Sequence, residues 1–509
     1  MFRMRSVALG SALLALAVSC RAGSSNDATP GGSAAPAGPP RDDGNWNGHW
    51  DGSSGAASSG DGPSGSGAGS SPGTGAPGGD AAPVPVPYQH FDVNHILSTG
   101  QSNAVANDGV PILSTVQPYA NLMFDSGVIP ASNCDSNGCT VYEKPTALVP
   151  LVEGDTFFGP VETMSSGLAN EASKLAKEIY LAGKPHATHD ILVSLHGRSG
   201  NNYYCLRKGG CPWWPDHPYV KPYDDAMKEV ADGFALAKAA NRTYVVRAVT
   251  AIHGEADHYA QSDGASLFPL PGTDGKSIVQ DYGEGLEEWQ RDYESSVRAI
   301  DGQTLPVPLF ISQYSHWNNV PTTVIAYEQL AAHVRSKGKV VVVGPTYVLP
   351  YSADCLHFTG EGERHLGEYF AKAYARVVLE GLPWEPLRPV AVSLAGNVVT
   401  AKFLVPKPPL VIDTQQVTDP GSYGFEFTDD SGAPPAIASV ALAGPDTVKV
   451  TLARAPLGAN KRLRYAYTFH GCGGSGTIAR GNLRDSDTTP SQAGYDLSNW
   501  AVHFDEPVP

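Results

Sequence analysis

Two segments far apart in the chain carry the residue types of nucleophilic catalysis. They are His95-Ile96-Leu97-Ser98-Thr99-Gly100-Gln101-Ser102-Asn103 and Asp354-Cys355-Leu356-His357. In the first, an apolar, strand-like run breaks at Gly100 and leaves Ser102 just beyond it. In the second, a carboxylate stands three residues ahead of an imidazole, in a loop before a helix-like stretch. A neutral serine hydroxyl attacks esters poorly until an imidazole removes its proton and a carboxylate holds that imidazole in the productive tautomer. Ser102, His357 and Asp354 therefore read as nucleophile, general base and orienting acid of an acyl-transfer hydrolase. In isolation Ser102 would read better as a turn serine capping the next segment, and His357 as one of 15 histidines, in a surface loop. His365 falls inside the following helix, Glu361 to Gly367, and His196 and His316 are poorer candidates for the base.

These segments resemble the SGNH (GDSL-like) hydrolase superfamily, and within it the sialate O-acetylesterase-like carbohydrate esterases. That branch carries a G-Q-S-N block near the start of its domain and a D-x-x-H block near its end. Leu195-His196-Gly197-Arg198-Ser199-Gly200 looks like the family's glycine block. Ile252-His253-Gly254-Glu255-Ala256-Asp257 looks like its Q-G-E-S-D/N block, with His253 where glutamine is usual. The resemblance covers residues 90 to 385, and four motifs in the family's order are far less expected by chance than any one of them. It implies hydrolysis of O-acyl, foremost O-acetyl, esters of carbohydrate through an acyl-enzyme, with neither metal nor organic cofactor. The expected oxyanion donors, aimed at the developing negative oxygen, are the backbone N–H of Ser102 and that of Gly197 or Gly200. His253 would supply a third donor through its ring, with Asn201 or Asn202 as substitutes. Gln101, Asn103 and Glu255 are candidate substrate contacts, and Asp257 is a structural or substrate-contacting group. Trp213 and Trp214 read either as a stacking wall for a sugar or aromatic acyl group, or as loop packing; Tyr203 and Tyr204 are equally open. Two further readings stand beside this one. The first is a non-catalytic carbohydrate- or surface-binding lipoprotein on the same fold, and the second an esterase of lipid, thioester or aromatic substrates.

The elements that must position these residues alternate between strand-like and helix-like. Apolar runs lie at Val93–Leu97, Ile191–Leu195, Tyr244–Ile252, Val307–Ile311 and Val340–Val343. Between them, helical spacing links Leu168, Ala172, Leu175 and Ile179, then Met227, Val230 and Phe234, then Leu286, Trp289, Tyr293 and Val297. Further helices are expected over Thr322–Arg335 and Glu361–Leu379. The alternation predicts an α/β fold with a parallel sheet covered on both faces. The resemblance implies a flavodoxin-like three-layer α/β/α arrangement of about five strands in the order 2-1-3-4-5. In such sheets the binding crevice lies beyond the carboxyl ends of the strands, and all four motifs fall there. From Arg388 onward, short alternating runs separated by turn residues predict an antiparallel β-sandwich. No aromatic platform emerges from those strands, which favours a stabilising appendage over a carbohydrate-binding module.

The expected organisation is thus an export signal over 1–19, a disordered tether over 20–86, a catalytic domain over 87–387 and a β-sandwich over 388–509. Arg3 and Arg5, the apolar run Val7–Val18 and the small residues before Cys20 form the export signal. Ala17-Val18-Ser19-Cys20 resembles a lipoprotein processing site, which would acylate Cys20 and anchor the protein to a bacterial envelope. Simple cleavage after Ser19 is the alternative. The tether is rich in Gly, Ser, Ala, Pro and Asp and cannot bury enough apolar surface to order itself. A net charge of −16, from 35 basic and 51 acidic residues, argues against nucleic-acid partners and against electrostatic attachment to anionic lipid. Apart from Cys20, the seven cysteines leave Cys134 with Cys139, Cys205 with Cys211, and Cys355 with Cys472 as disulfide candidates in an oxidising compartment. None has the C-x-x-C or paired-histidine spacing of a zinc site.

Overall fold

The computed structural model describes residues 86–135, 138–156, 159–211, 221–262, 267–316, 324–471 and 476–509. Its central sheet has seven strands: β1 (Val93–Gly100), β2 (Leu122–Phe124), β3 (Leu148–Pro150), β4 (Ile191–Leu195), β5 (Tyr244–Ile252), β6 (Leu309–Gln313) and β7 (Val340–Pro345). They lie in the order β7-β6-β5-β1-β4-β2-β3. All pairs are parallel except β2 with β3. The five long strands therefore stand in the flavodoxin-like order 2-1-3-4-5, and the two short strands extend the edge beside β4. Every residue of β1, β4, β5 and β6 is buried. That is what a parallel sheet covered on both faces requires.

The helices are α1 (Met164–Leu175), α2 (Pro222–Ala239), α3 (Glu255–Ser262), α4 (Tyr282–Asp301), α5 (Val324–Ser336) and α6 (Gly360–Tyr374). Their starts follow local chemistry. Thr163, Asp281 and Thr359 cap α1, α4 and α6 by accepting a first-turn N–H, and Pro222 opens α2. Gly302, at φ 76°, closes α4 in the left-handed conformation. No helix among the described residues is long and apolar enough to cross a membrane.

The C-terminal region builds two larger antiparallel sheets and a two-stranded one, Val411–Ile412 with Leu483–Arg484. One of the larger sheets comprises β8 (Arg388–Ala395), β9 (Val398–Leu404), β11 (Ile437–Leu442) and β12 (Thr447–Leu452), and the other β10 (Phe425–Thr428), β13 (Arg462–Tyr465) and β14 (Phe504–Pro507). Burial alternates along β9, β10, β12 and β13, and Phe403 of the first sheet meets Phe504 of the second, ring edge to face. The described residues of this region fall in one compact unit with the α/β part. Trp500 packs against Tyr347, the His503 ring meets the Ser315 hydroxyl, and Gln313 at the end of β6 donates to the His503 carbonyl. Lys372 of α6 is buried against Asp487 at 2.7 Å and Asn499 at 2.8 Å.

Cys205 and Cys211 form a disulfide. Cys134 and Cys139 are backbone partners across the hairpin of Ala131–Asp135 and Gly138–Tyr142. Cys355 is disulfide-bonded as well. Cys20, Trp213, Trp214 and Cys472 lie outside the described residues.

Candidate active site

β1 ends at Gly100 because nothing larger fits there. Its φ is +133°, and a Cβ would stand 2.1 Å from the Ile252 carbonyl oxygen. The chain then closes a tight turn in which Ala104 and Val105 donate to the Gln101 carbonyl and Asn107 to that of Ser102. Ser102 is thereby held just beyond the carboxyl end of the central strand. Beside it, β4 runs into His196-Gly197-Arg198. Arg198 N–H donates to Gly100 O at 2.9 Å, and a Cβ on Gly197 would stand 2.9 Å from that same oxygen. The buried Arg198 guanidinium folds back onto the His196 and Gly197 carbonyls and pairs with Asp225 at 2.8 Å. The backbone N–H groups of Ser102, Gly197 and Gly200 meet no backbone acceptor among the described residues, whereas that of Asn201 donates to Arg198 O.

The Asp354–His357 turn is closed on itself. Asp354 Oδ1 accepts from the Ser352 hydroxyl and from the N–H groups of Leu356 and His357, at 2.7, 2.9 and 3.0 Å. Its Oδ2 lies 2.5 Å from His357 Nδ1. An ionised Asp354 accepts only, so Nδ1 carries the proton and the Nε2 lone pair is left to act as base. The turn docks on the serine segment through two amides. Asn103 Nδ2 donates to Leu356 O at 3.2 Å, and Asn107 Nδ2 lies 3.2 Å from both His357 nitrogens. The Ser102 hydroxyl makes no hydrogen bond among the described residues, and the amide that meets the base is that of Asn107. Asp108 also sits here: single ligand atoms of Asp108, Asp354 and His357 lie within 4.8 Å of one another. Both Asp354 oxygens are already taken up by the turn and the imidazole.

Several candidate residues are engaged by their own neighbours. His253 is fully buried with both ring nitrogens engaged, Nδ1 with the Tyr282 hydroxyl at 2.7 Å and Nε2 with the Asn201 carbonyl at 3.1 Å. The carbonyl can only accept, so Nε2 holds the single proton of a neutral ring and nothing is left for an oxyanion. Burial keeps the ring neutral, with its pKa pulled down to about 4. Gln101, Asn103 and Glu255 are likewise buried and brace the rim. Gln101 Oε1 accepts the Ala256 N–H at 3.0 Å, and Asn103 Nδ2 reaches Glu255 Oε1 at 3.3 Å. Asp257 accepts the Tyr203 N–H at 2.8 Å. Tyr204 lies under the Arg207 guanidinium at 4.6 Å. The competing imidazoles are committed elsewhere, His196 between Glu229 and Tyr293 and His365 to the Asp496 carbonyl.

Asn107 and Ser352 are site residues that the sequence reading did not single out. The only signal for Asn107 is its distance of five residues from the serine, which means contact only once the turn's geometry is known.

No family model matches the chain, and no curated protein matches it. Among solved structures, the chain is similar over 81% of its length, and over 80% of the other chain, to a carbohydrate acetylesterase from Xanthomonas citri, at 14% identity and a TM-score of 0.48. It is similar over 55% of its length to an aryl esterase of M. smegmatis, covering 97% of that chain at 11% identity and a TM-score of 0.28. A carbohydrate acetylesterase from Sinorhizobium meliloti matches over 55% of this chain and 98% of its own, at 12% identity and a TM-score of 0.26.

Proposed function

We propose that the protein is an SGNH-type serine esterase that hydrolyses O-acyl esters of carbohydrates, with acetyl as the acyl group. The observation that carries this reading is the Asp354–His357 hydrogen bond, docked against the Ser102 turn by Asn103 and Asn107. In the proposed cycle the Ser102 oxygen attacks the ester carbonyl while its proton passes to His357 Nε2. The uncommitted N–H groups of Ser102 and Gly197 receive the oxyanion. Collapse of the tetrahedral adduct expels the sugar alcohol, which takes the proton from His357. Water, deprotonated by the same nitrogen, then attacks the acyl-enzyme and releases the acid. Asp354 stays ionised throughout and steadies the imidazolium. In the reacting complex the Ser102 hydroxyl takes the place of the Asn107 amide at Nε2, since catalytic hydrogen bonds are often looser before substrate binds.

Ser102→Ala is expected to abolish hydrolysis of p-nitrophenyl acetate with the circular dichroism spectrum unchanged; wild-type turnover in that variant would overturn the assignment. Acetylated xylan, acetylated sialic acid and longer acyl esters, assayed side by side, test the carbohydrate and acetyl parts. The unpaired Ser102 hydroxyl favours one rival, a binding protein on the same fold, which would fail to react with a fluorophosphonate probe. We also propose export and lipid anchoring at Cys20, checked by mass spectrometry of the mature N-terminus.

A further inference from the structure

The Asp354–His357 turn is closed by its own hydrogen bonds, but its persistence and its aim at the rim depend on contacts from outside. Two consecutive backbone carbonyls of the turn point outward, and each is gripped by a side chain. Leu356 O accepts from Asn103 in the serine block, and Cys355 O accepts from His316 Nδ1 at 2.5 Å. Cys355 has φ 63°, a left-handed conformation that is strained for a non-glycine residue and persists only where its surroundings enforce it.

His316 stands just past β6 and is buried. Its Nδ1 faces a carbonyl, so that nitrogen carries the proton. Its Nε2 then accepts from the Tyr259 hydroxyl at 2.8 Å. Tyr259 belongs to α3, the helix whose first residue, Glu255, holds Asn103. The contacts form a closed ring: Asn103 to Glu255, along α3 to Tyr259, across His316 to Cys355, and through Leu356 back to Asn103. Phe469 from the C-terminal region meets the imidazole edge to face at 5.8 Å and limits its rotation.

We infer that His316 is a positioning residue for the hydrolysis proposed above: its Nδ1–H fixes the acid–base turn against the serine. Its effect on activity rests on that reading of the site. Its effect on the turn does not.

The test uses three variants of the full chain. His316→Asn puts an amide nitrogen close to where Nδ1 stood and keeps the donor to Cys355 O. His316→Gln places its amide near the Nε2 position, and His316→Ala offers nothing. With p-nitrophenyl acetate, Gln and Ala are expected to lower kcat by about 10- to 100-fold, the scale of an ångström-sized misplacement, with KM unchanged. Asn should restore most of kcat. Equal losses in all three variants, or a loss carried by KM, would overturn the assignment, since filling space would then be the whole role. Amide exchange across residues 352–358 and the low-field proton shared by His357 and Asp354 are read in parallel. Faster exchange and a lost low-field signal are expected in Gln and Ala but not in Asn. If the wild-type protein shows no hydrolysis, the functional reading fails alone, and these two signals still decide the positioning claim. An unchanged turn in His316→Ala ends it.

Discussion

At Asp354, burial is the largest single influence and would raise the carboxyl. It is outweighed by the N–H of His357, the Ser352 hydroxyl, the Leu356 N–H and the imidazole, which together hold it down to about 2. Its contribution to the fold is therefore present above the ordinary carboxylate range and fades only as pH falls toward 2. Glu255 and Asp257 behave oppositely, since burial pushes each up to about 7. Their protonated forms favour the fold, and that stability is lost as pH rises through 7. His253 and His316, drawn down to about 4 by burial, have delivered their full contribution by about pH 6.5. Between about pH 6.5 and 8, then, the melting temperature is expected to fall, and Glu255→Gln, which keeps an acceptor for Asn103, should fall less steeply. Parallel slopes in thermal melts would discard the explanation. A second outcome concerns Asn107, whose amide competes with Ser102 for the base's lone pair. Asn107→Ala removes one hydrogen bond worth about 1 kcal/mol, so fluorophosphonate labelling of Ser102 should quicken roughly fivefold. A slower reaction would make Asn107 a support and not a competitor.

Among the elements, strand ends matter most. Gly100 and Gly197 let β1, β4 and β5 converge at backbone contact distance, so the loops after them share one rim. Gly100→Ala drives a Cβ into the Ile252 carbonyl at a φ that suits only glycine. A loss of about 2 kcal/mol or more is expected in chemical denaturation, together with loss of the proposed esterase activity. Wild-type stability would show that the strands can part. The strands at 191–195 and 244–252 were legible to the residue, because mostly apolar runs end abruptly at His196-Gly197 and His253-Gly254. β2 and β3, three residues each, are too short to display any period. Side-chain roles were less legible than elements. His253 and Glu255 sit in a motif, yet sequence cannot tell whether a group faces a cleft or, as here, its own neighbours.

For the molecule as a whole, the sandwich strands were visible in their alternation, but their union with the α/β part was not. Single polar side chains such as Lys372, His503 and Arg480 make that union, and they leave no periodic trace. Lys372 is the sharpest case. Asp487→Ala would strand a buried ammonium with Asn499 and the Leu497 carbonyl as its remaining hydrogen-bond partners among the described residues, beside the Trp384 ring. The expected cost is about 3–5 kcal/mol, read as a large fall in unfolding free energy. Loss of less than about 1 kcal/mol would mean that water reaches the site.

Trp500 and His503 close the core beside Tyr347 and Ser315, next door to His316. A polypeptide growing from its N-terminal end could finish its central sheet early, yet the loop after β6 would lack these contacts until residues 500–503 emerged. Products cut short before residue 500 should therefore leave His316 and the rim beside it unsupported.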